Sequence, residues 1–177
     1  MKLQNLIHML IGIVCIGLLP GAQAVVPSPD GGYPNFTTAE GTNALQSLTT
    51  GAGNTGVGWR ALFADTTASF NTGLGAGALL LNQADSNTAV GAVALLLNTT
   101  GMDNTAVGAA ALSNNTLGQD NTGTGAFALF SNTEGQFNTA DGHRALDLNI
   151  TGDSNTAVDE SALPKQHRWR QQYGHRC

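Results

Sequence analysis

Apolar and polar residues recur along this chain with a period of about 17 residues between positions 37 and 163. Units begin with Asn-Thr at 54, 71, 87, 104, 121, 138 and 155, and Thr37-Thr38 begins one more in the same register. Each of these eight units carries an Ala-Leu pair at its eighth and ninth positions, from Ala44-Leu45 to Ala162-Leu163. A leucine at this spacing cannot form one face of a long helix, but it can form a stack if each unit is one coil of a solenoid.

The first half of the unit predicts a strand followed by a narrow corner. The fourth position is mostly apolar, and we expect it to be a second core position beside the leucine, as in Val57, Leu74, Val90, Val107 and Val158. Glycine at the fifth position, replaced only by Asp159, and alanine at the eighth fit a thin cross-section, where larger side chains would push neighbouring backbones apart. Runs such as Thr88-Ala89-Val90 favour strands.

The second half of the unit has the composition of turns. One column holds Asn82, Asn98, Asn115, Asn132 and Asn149, and glycines follow at a fixed offset, namely Gly101, Gly118, Gly135 and Gly152. These residues predict Asx-type turns with positive φ angles at the glycines. The unit that begins at Asn71 lacks one residue between Gln83 and Ser86, and a deletion in a turn leaves the core intact.

These columns together predict an all-β protein, a parallel β-solenoid or β-roll of about eight 17-residue coils. At about 4.8 Å between coils the stack would be about 38 Å long. The Ala-Leu pair, with neighbours such as Leu96 and Leu97, could add a short helical turn to each coil. A coil like that of a leucine-rich repeat is the alternative architecture.

The N-terminus has the pattern of an export signal. Lys2 precedes an apolar run from Leu6 to Leu19, and Ala22-Gln23-Ala24 is a small-x-small cleavage pattern. We predict a signal peptide at residues 1–24, cleavage before Val25, a lead-in at 25–36 and a secreted or cell-surface protein. No later segment reaches the roughly 18 apolar residues of a membrane span, and Cys177 would be the single cysteine of the mature chain.

Charge and motif content exclude several functional classes. Residues 37 to 163 hold eleven acidic side chains against Arg60 and Arg144, a balance that disfavours nucleic acid. No Gly-x-Ser-x-Gly elbow or histidine partner pattern occurs, and His143 has the surroundings of an exposed loop residue. Asp85, Asp103, Asp120 and Asp153 fit turns better than a Ca²⁺ site, which needs more than one carboxylate per coil. We therefore assign no catalytic, cofactor-binding or metal residue.

The threonine at the second position of every unit, from Thr38 to Thr156, raises the possibility of a surface that orders water. Regularly spaced hydroxyls on a flat wall are suited to ice. A second hydroxyl would be expected two residues further on, on the same side of the strand. That column holds Val, Leu, Glu, Thr or Asp, which counts against ice binding.

Units such as Asn104-Thr-Ala-Val-Gly-Ala-Ala-Ala-Leu-Ser-Asn-Asn-Thr resemble a known repeat type. They look like the NTAxGxxAL repeats of large bacterial surface and tail-fibre-like proteins, which often end in an endosialidase-chaperone domain. They are also similar to the heads of YadA-like trimeric autotransporter adhesins. The resemblance covers about residues 28 to 163 and implies extracellular display, a homotrimer and adhesion to a host, matrix or surface ligand.

The tail at 164–177 reverses the charge of the repeats, with Lys165, Arg168, Arg170 and Arg176 and no acid. Back-translated and read from the second nucleotide of codon 165, it gives Ser-Asn-Thr-Gly-Gly-Asp-Asn-Asn-Thr-Ala-Thr-Gly, which is the repeat in register. We expect a frameshift near Pro164, a disordered tail that forms no ninth coil, and a chain truncated from a longer one.

The function expected from the sequence is that of a non-enzymatic, extracellular structural or adhesive repeat module. The alternative is a free secreted solenoid that binds ice or glycans.

Overall fold

The computed structural model describes residues 34–162 and the backbone of residues 170–175. After a 3-10 turn at Pro34–Phe36, the chain forms nine strands: β1 Thr38–Glu40, β2 Thr55–Val57, β3 Thr72–Leu74, β4 Thr88–Val90, β5 Thr105–Val107, β6 Thr122–Thr124, β7 Thr139–Asp141, β8 Asp153–Val158 and β9 Arg170–His175. They form one parallel sheet in the order of the sequence. The predicted parallel β-solenoid is confirmed, whereas the predicted signal peptide lies outside the described residues.

The threonine column sets the register of the sheet. Thr38 pairs with Thr55, and each later threonine pairs with the next, up to Thr139 with Thr156. The short unit keeps this register, since Thr72 still pairs with Thr88. Its missing residue falls in the turn after Asn82, as the sequence predicts.

The core consists of one leucine and two small residues per coil. The leucine stack is confirmed, because the ninth-position side chains from Leu62 to Leu146 are completely buried. The eighth-position alanines are buried beside them. The prediction that the fourth position points into the core is wrong. The third position points inward instead, with buried Ala or Gly in every strand from β1 to β8.

Strand alternation explains this correction. Successive side chains of a strand point to opposite faces, so only one of the third and fourth positions can point inward. Within a coil this thin, the leucine fills the interior: a Cβ on Gly56 would lie 3.1 Å from Leu45 Cγ. Ala or Gly therefore fits inside, and the larger valines and leucines of the fourth position face outward.

The segment after each strand is a run of turns rather than a helix. Backbone φ is positive at Gly58, Arg60 and Leu62, that is, at alternate residues. This alternation rules out a short helical turn at the Ala-Leu pair of these coils, because an α-helix requires negative φ throughout. The fifth-position glycine is required as predicted: Gly58 has φ +127°, and a Cβ there would lie 2.6 Å from the Gly75 carbonyl.

Two columns of asparagine run through the interior as hydrogen-bonded ladders. In the first-position ladder, the backbone N–H of Asn71 donates to Asn54 Oδ1 at 2.9 Å. The same bond recurs in each later coil up to Asn155. In the twelfth-position ladder, Asn115 Nδ2 donates to Asn98 Oδ1 at 2.9 Å. These fully buried amides link successive coils by hydrogen bonds.

The glycines that follow the second ladder have a different role from the one predicted. Gly101, Gly118, Gly135 and Gly152 do not have positive φ, so that part of the prediction is wrong. They are needed because the coils approach closely there: a Cβ on Gly101 would overlap the carbonyl oxygen of Gly118. Asn98 Nδ2 also donates to the Gly101 carbonyl at 2.8 Å, which closes the turn.

In the tail, for which we predict disorder and no ninth coil, the structure describes one strand at residues 170 to 175. Their backbone forms β9, which pairs with β8 in the 17-residue register, Thr156 opposite Tyr173. The edge of a parallel strand presents unpaired N–H and C=O groups that can pair with another backbone whatever its side chains. The other tail residues and Leu163 lie outside the described part of the chain.

Candidate binding surfaces

The outward side of strands β1 to β8 is a regular surface, and we call it the sheet face. It consists of the second-position threonines and the fourth-position residues, which share one side of each strand. Leu74 and Val107 are 45% and 38% exposed. Between β2 and β6 the sheet face carries hydroxyl and hydrocarbon groups and no charge, because Glu40 and Asp141 lie in β1 and β7.

A second surface, the ridge, is formed by the sixth, seventh and tenth positions of each coil. Near the N-terminal end of the ridge, the Arg60 guanidinium carbon lies 4.9 Å from the centre of the Trp59 ring and 4.8 Å from that of Phe63. Cation–π contacts at exposed sites contribute about 0.5–1 kcal/mol. Trp59 remains half exposed, so this end presents an aromatic platform with one cation.

Near the other end, the ridge contains an open cleft of about 290 Å³, lined by Phe127, Phe130, His143, Arg144 and Asp147. The two phenyl rings meet edge to face with centroids 5.6 Å apart, and the His143 ring lies 6.2 Å from that of Phe127. Arg144 Nε donates to Asp147 Oδ2 at 2.7 Å. The predicted exposure of His143 is confirmed, whereas its place in this cleft does not follow from the repeat pattern.

Asp65 occupies a twelfth position that holds asparagine in the five following coils. Its side chain is fully buried, and Oδ1 accepts the Ala68 N–H at 3.0 Å. Burial raises the pKa of Asp65 to about 6, although hydrogen bonds from Ala68, Asn82 and Asn71 oppose the shift. A buried carboxyl group therefore precedes a ladder of neutral amides.

The aspartates before the Asn-Thr pairs bridge neighbouring coils at two places. Asp85 Oδ1 accepts the Ser69 N–H, and Asp153 Oδ1 accepts the Gln136 N–H, both at 2.8 Å. In residues 34–162, no three His, Cys, Asp or Glu side chains come together in a way that could hold a metal ion. The Asp85 and Asp153 carboxylates thus accept hydrogen bonds from the backbone of the preceding coil.

Comparison with protein families, curated proteins and solved structures finds no match to this chain. None of the helical segments in residues 34–162 or 170–175 has the length and hydropathy that a membrane span needs. Functional proposals therefore depend on the sheet face, the ridge and the repeat motif.

Proposed function

We propose that this protein is a non-enzymatic structural or adhesive module, exported from a bacterial cell and displayed at its surface, as part of a longer chain. The sheet face is the observation that carries the proposal. It runs the length of the described coils in constant register and combines hydroxyl and hydrocarbon columns without charge between β2 and β6. Such a surface suits contact with another extended surface.

The interior supports a structural role. Buried polar side chains are a common source of reactive groups, but here the buried amides are used to connect coils. Asn104 donates to Asn87 Oδ1 and to the Gly118 carbonyl, and the same arrangement recurs in Asn121 and Asn138. These bonds serve cohesion along the stack.

We further propose that three chains associate through the sheet face. Val57, Leu74, Val90 and Val107 form an outward hydrocarbon column that association would remove from water. Exposed apolar patches of this kind commonly mark protein interaction sites. Light scattering of the purified chain should give three times the monomer mass.

A double variant tests both the assembly and the adhesion. The double variant is Val90→Asp with Val107→Asp. Because β7 already has Asp141 at the same position of the repeat, aspartate there should leave the coils folded. Leu117→Glu is the matched control. Leu117 is an exposed apolar residue outside the sheet face, and the next coil already has Glu134 at the same position. The double variant should be monomeric, and the control should remain trimeric.

Adhesion is measured with the same proteins, labelled with a fluorophore and applied to collagen-coated, fibronectin-coated and bacterial cell surfaces. We expect the original chain and Leu117→Glu to be retained on at least one surface and the double variant to be washed off. Equal retention of all three proteins, or retention on no surface, would refute adhesion that requires association of the chains through the sheet face.

Ice binding is a second candidate, favoured by one observation. The paired threonines of β1 to β8 all lie on the outward side of the sheet, so their hydroxyls form a regular row. Partition of the labelled chain into slowly growing ice tests this candidate. The result that favours a free ice binder over a surface module is enrichment of the original chain in ice, with no enrichment of the variant Thr88→Val with Thr105→Val.

A further inference from the structure

The cleft on the ridge has a polar floor that its own residues leave incomplete. Asp147 is only 4% exposed, and Arg144 Nε engages its Oδ2. Its other oxygen, Oδ1, is buried and accepts no hydrogen bond. A buried acceptor without a donor is costly, so a ligand that offers an O–H or N–H group to Oδ1 would gain that bond.

The walls of the cleft call for a ligand with an apolar face. Phe127 and Phe130 form an edge-to-face pair, and Phe127 is 42% exposed. In the preceding coil the same two positions hold Ala110 and Ser113, so the aromatic wall is particular to this coil. Aromatic rings that stay exposed beside a buried polar group are typical of small-molecule sites.

The acidic groups at the cleft already have basic partners, which suits a neutral ligand: besides Asp147, Glu160 Oε1 lies 3.7 Å from His143 Nδ1. The Arg144 guanidinium already balances the Asp147 carboxylate at 2.7 Å, and it remains 55% exposed, so further N–H groups are available to an acceptor. A hydroxyl group both donates and accepts hydrogen bonds. Neighbouring hydroxyls on one ring could therefore donate to Asp147 and accept from Arg144.

We propose that this cleft binds one pyranose residue of a glycan. The apolar face of the sugar packs against the phenyl rings, and one hydroxyl donates to Asp147 Oδ1. A volume of about 290 Å³ is near the lower end of ligand pockets and suits a single sugar ring with the rest of the glycan outside. Because the site lies on the ridge, it does not depend on association of the chains through the sheet face.

The neighbouring coils supply substitutions that the fold already accepts. Phe127→Ala with Phe130→Ser recreates Ala110 and Ser113, and Asp147→Ser also recreates Ser113. Val93→Ala is the matched control, since Val93 occupies the seventh position of a coil outside the cleft. Thermal melting of each protein establishes that it is folded before binding is measured.

The test is a titration of the ¹⁵N-labelled chain with the methyl glycosides of glucose, galactose, mannose and N-acetylglucosamine, followed by amide chemical shifts. We expect saturable shifts at the backbone of His143 and Arg144 with at least one sugar. The affinity should fall at least tenfold in the double phenylalanine variant and in Asp147→Ser, and stay unchanged in Val93→Ala. Methylguanidinium and benzylammonium serve as cationic probes.

Three results would overturn the proposal. One is that none of the four sugars gives saturable shifts at the cleft. Another is that the folded cleft variants bind the sugar as well as the original chain. The third is that the cationic probes bind at the cleft more tightly than every sugar, which would make it an amine site.

Discussion

At the scale of single residues, Asp65 is a buried charged group in a column that holds asparagine in the five following coils. Asparagine at this column donates and accepts within the buried ladder without any charge, as Asn98 does. The carboxyl group of Asp65 must instead ionise away from water. Burial disfavours the charged form and therefore raises its pKa to about 6. The folded state therefore binds a proton more tightly than the unfolded state.

This shift makes stability depend on pH in a defined direction. Well below the unfolded pKa of 3.8, both states are protonated and Asp65 costs nothing. Between the unfolded value of 3.8 and the folded value of about 6, the free energy of unfolding falls as pH rises, and the loss is complete above that range.

We predict that Asp65→Asn stabilises the protein at pH 7.5 by about 1–3 kcal/mol, at about 1.4 kcal/mol for each pKa unit. The substitution gives this coil the asparagine of the five following coils, and its benefit should vanish at about pH 3, where both states are protonated. Urea unfolding at both pH values measures this. Asp120→Asn, at an exposed carboxylate in another coil, is the control and should show no such gain. An equal gain at both pH values would contradict a buried titrating Asp65.

The leucine stack gives a second prediction at this scale. Leu112→Ala, in the middle of the stack, should lower the free energy of unfolding by about 2–5 kcal/mol, because it removes a fully buried side chain and leaves a cavity. Met102→Ala should cost little, since Met102 is 43% exposed in a turn. Denaturant unfolding compares the two, and similar losses would mean that the leucine column is not the core.

At the scale of the coil, the sequence predicts the strand, the leucine and the turn, but not which way each strand faces. A strand of three residues such as Thr105–Val107 has too few positions for alternation to be read, and both Ala106 and Val107 are apolar. Size decides the orientation, because the space beside the leucine admits only the smaller residue. That space is a property of the closed coil and not of the strand.

The first asparagine ladder escaped prediction for a related reason. Asn54 and its equivalents mark the start of each unit, but nothing local shows that their side chains point inward. Their partners lie 17 residues away, as in the bond from Asn71 N to Asn54 Oδ1. A fixed polar residue in every coil of a solenoid was nevertheless a usable signal for a buried ladder. The cleft gave no comparable signal, since its residues come from two coils and occupy positions whose residue type varies along the repeat.

Two glycines of one coil provide a test at this scale. Gly125→Ala should cost about 1–3 kcal/mol or more, because φ is +119° there and a Cβ would lie 2.5 Å from the Gly142 carbonyl oxygen. Gly123→Ala should be nearly neutral, since its Cβ would meet atoms no closer than 3.4 Å and other coils have alanine there. Thermal unfolding compares the variants. If Gly123→Ala is the more harmful change, the positions of the corner and the strand are wrongly assigned.

At the scale of the whole molecule, the solenoid is a linear stack in which each coil contacts its neighbours, so the end coils matter. Strand β9 extends the sheet by backbone pairing with β8. The out-of-frame reading counted from residue 165 places its second Asn-Thr pair at residues 172 and 173. In the register of β9 those positions lie opposite Asn155 and Thr156.

We therefore predict that replacing residues 165 to 176 by Ser-Asn-Thr-Gly-Gly-Asp-Asn-Asn-Thr-Ala-Thr-Gly stabilises the protein. The new asparagine and threonine would continue the ladder and the threonine column. Differential scanning calorimetry should show a melting temperature higher by about 2–8 °C, which corresponds to about 1–2 kcal/mol at this size. The same twelve residues in scrambled order are the control. No difference between the two tails would contradict the frameshift hypothesis, which the nucleotide sequence past codon 164 tests independently.

The stacking of one coil on the next in parallel register is the central claim, and nuclear Overhauser effects between backbone protons test it most directly. In solution, Thr88 should show cross-strand contacts to Thr105, and Thr105 to Thr122, each pair 17 residues apart. Contacts between residues three and four apart along the Ala-Leu segments, without the contacts at 17, would show a helical protein and contradict the solenoid.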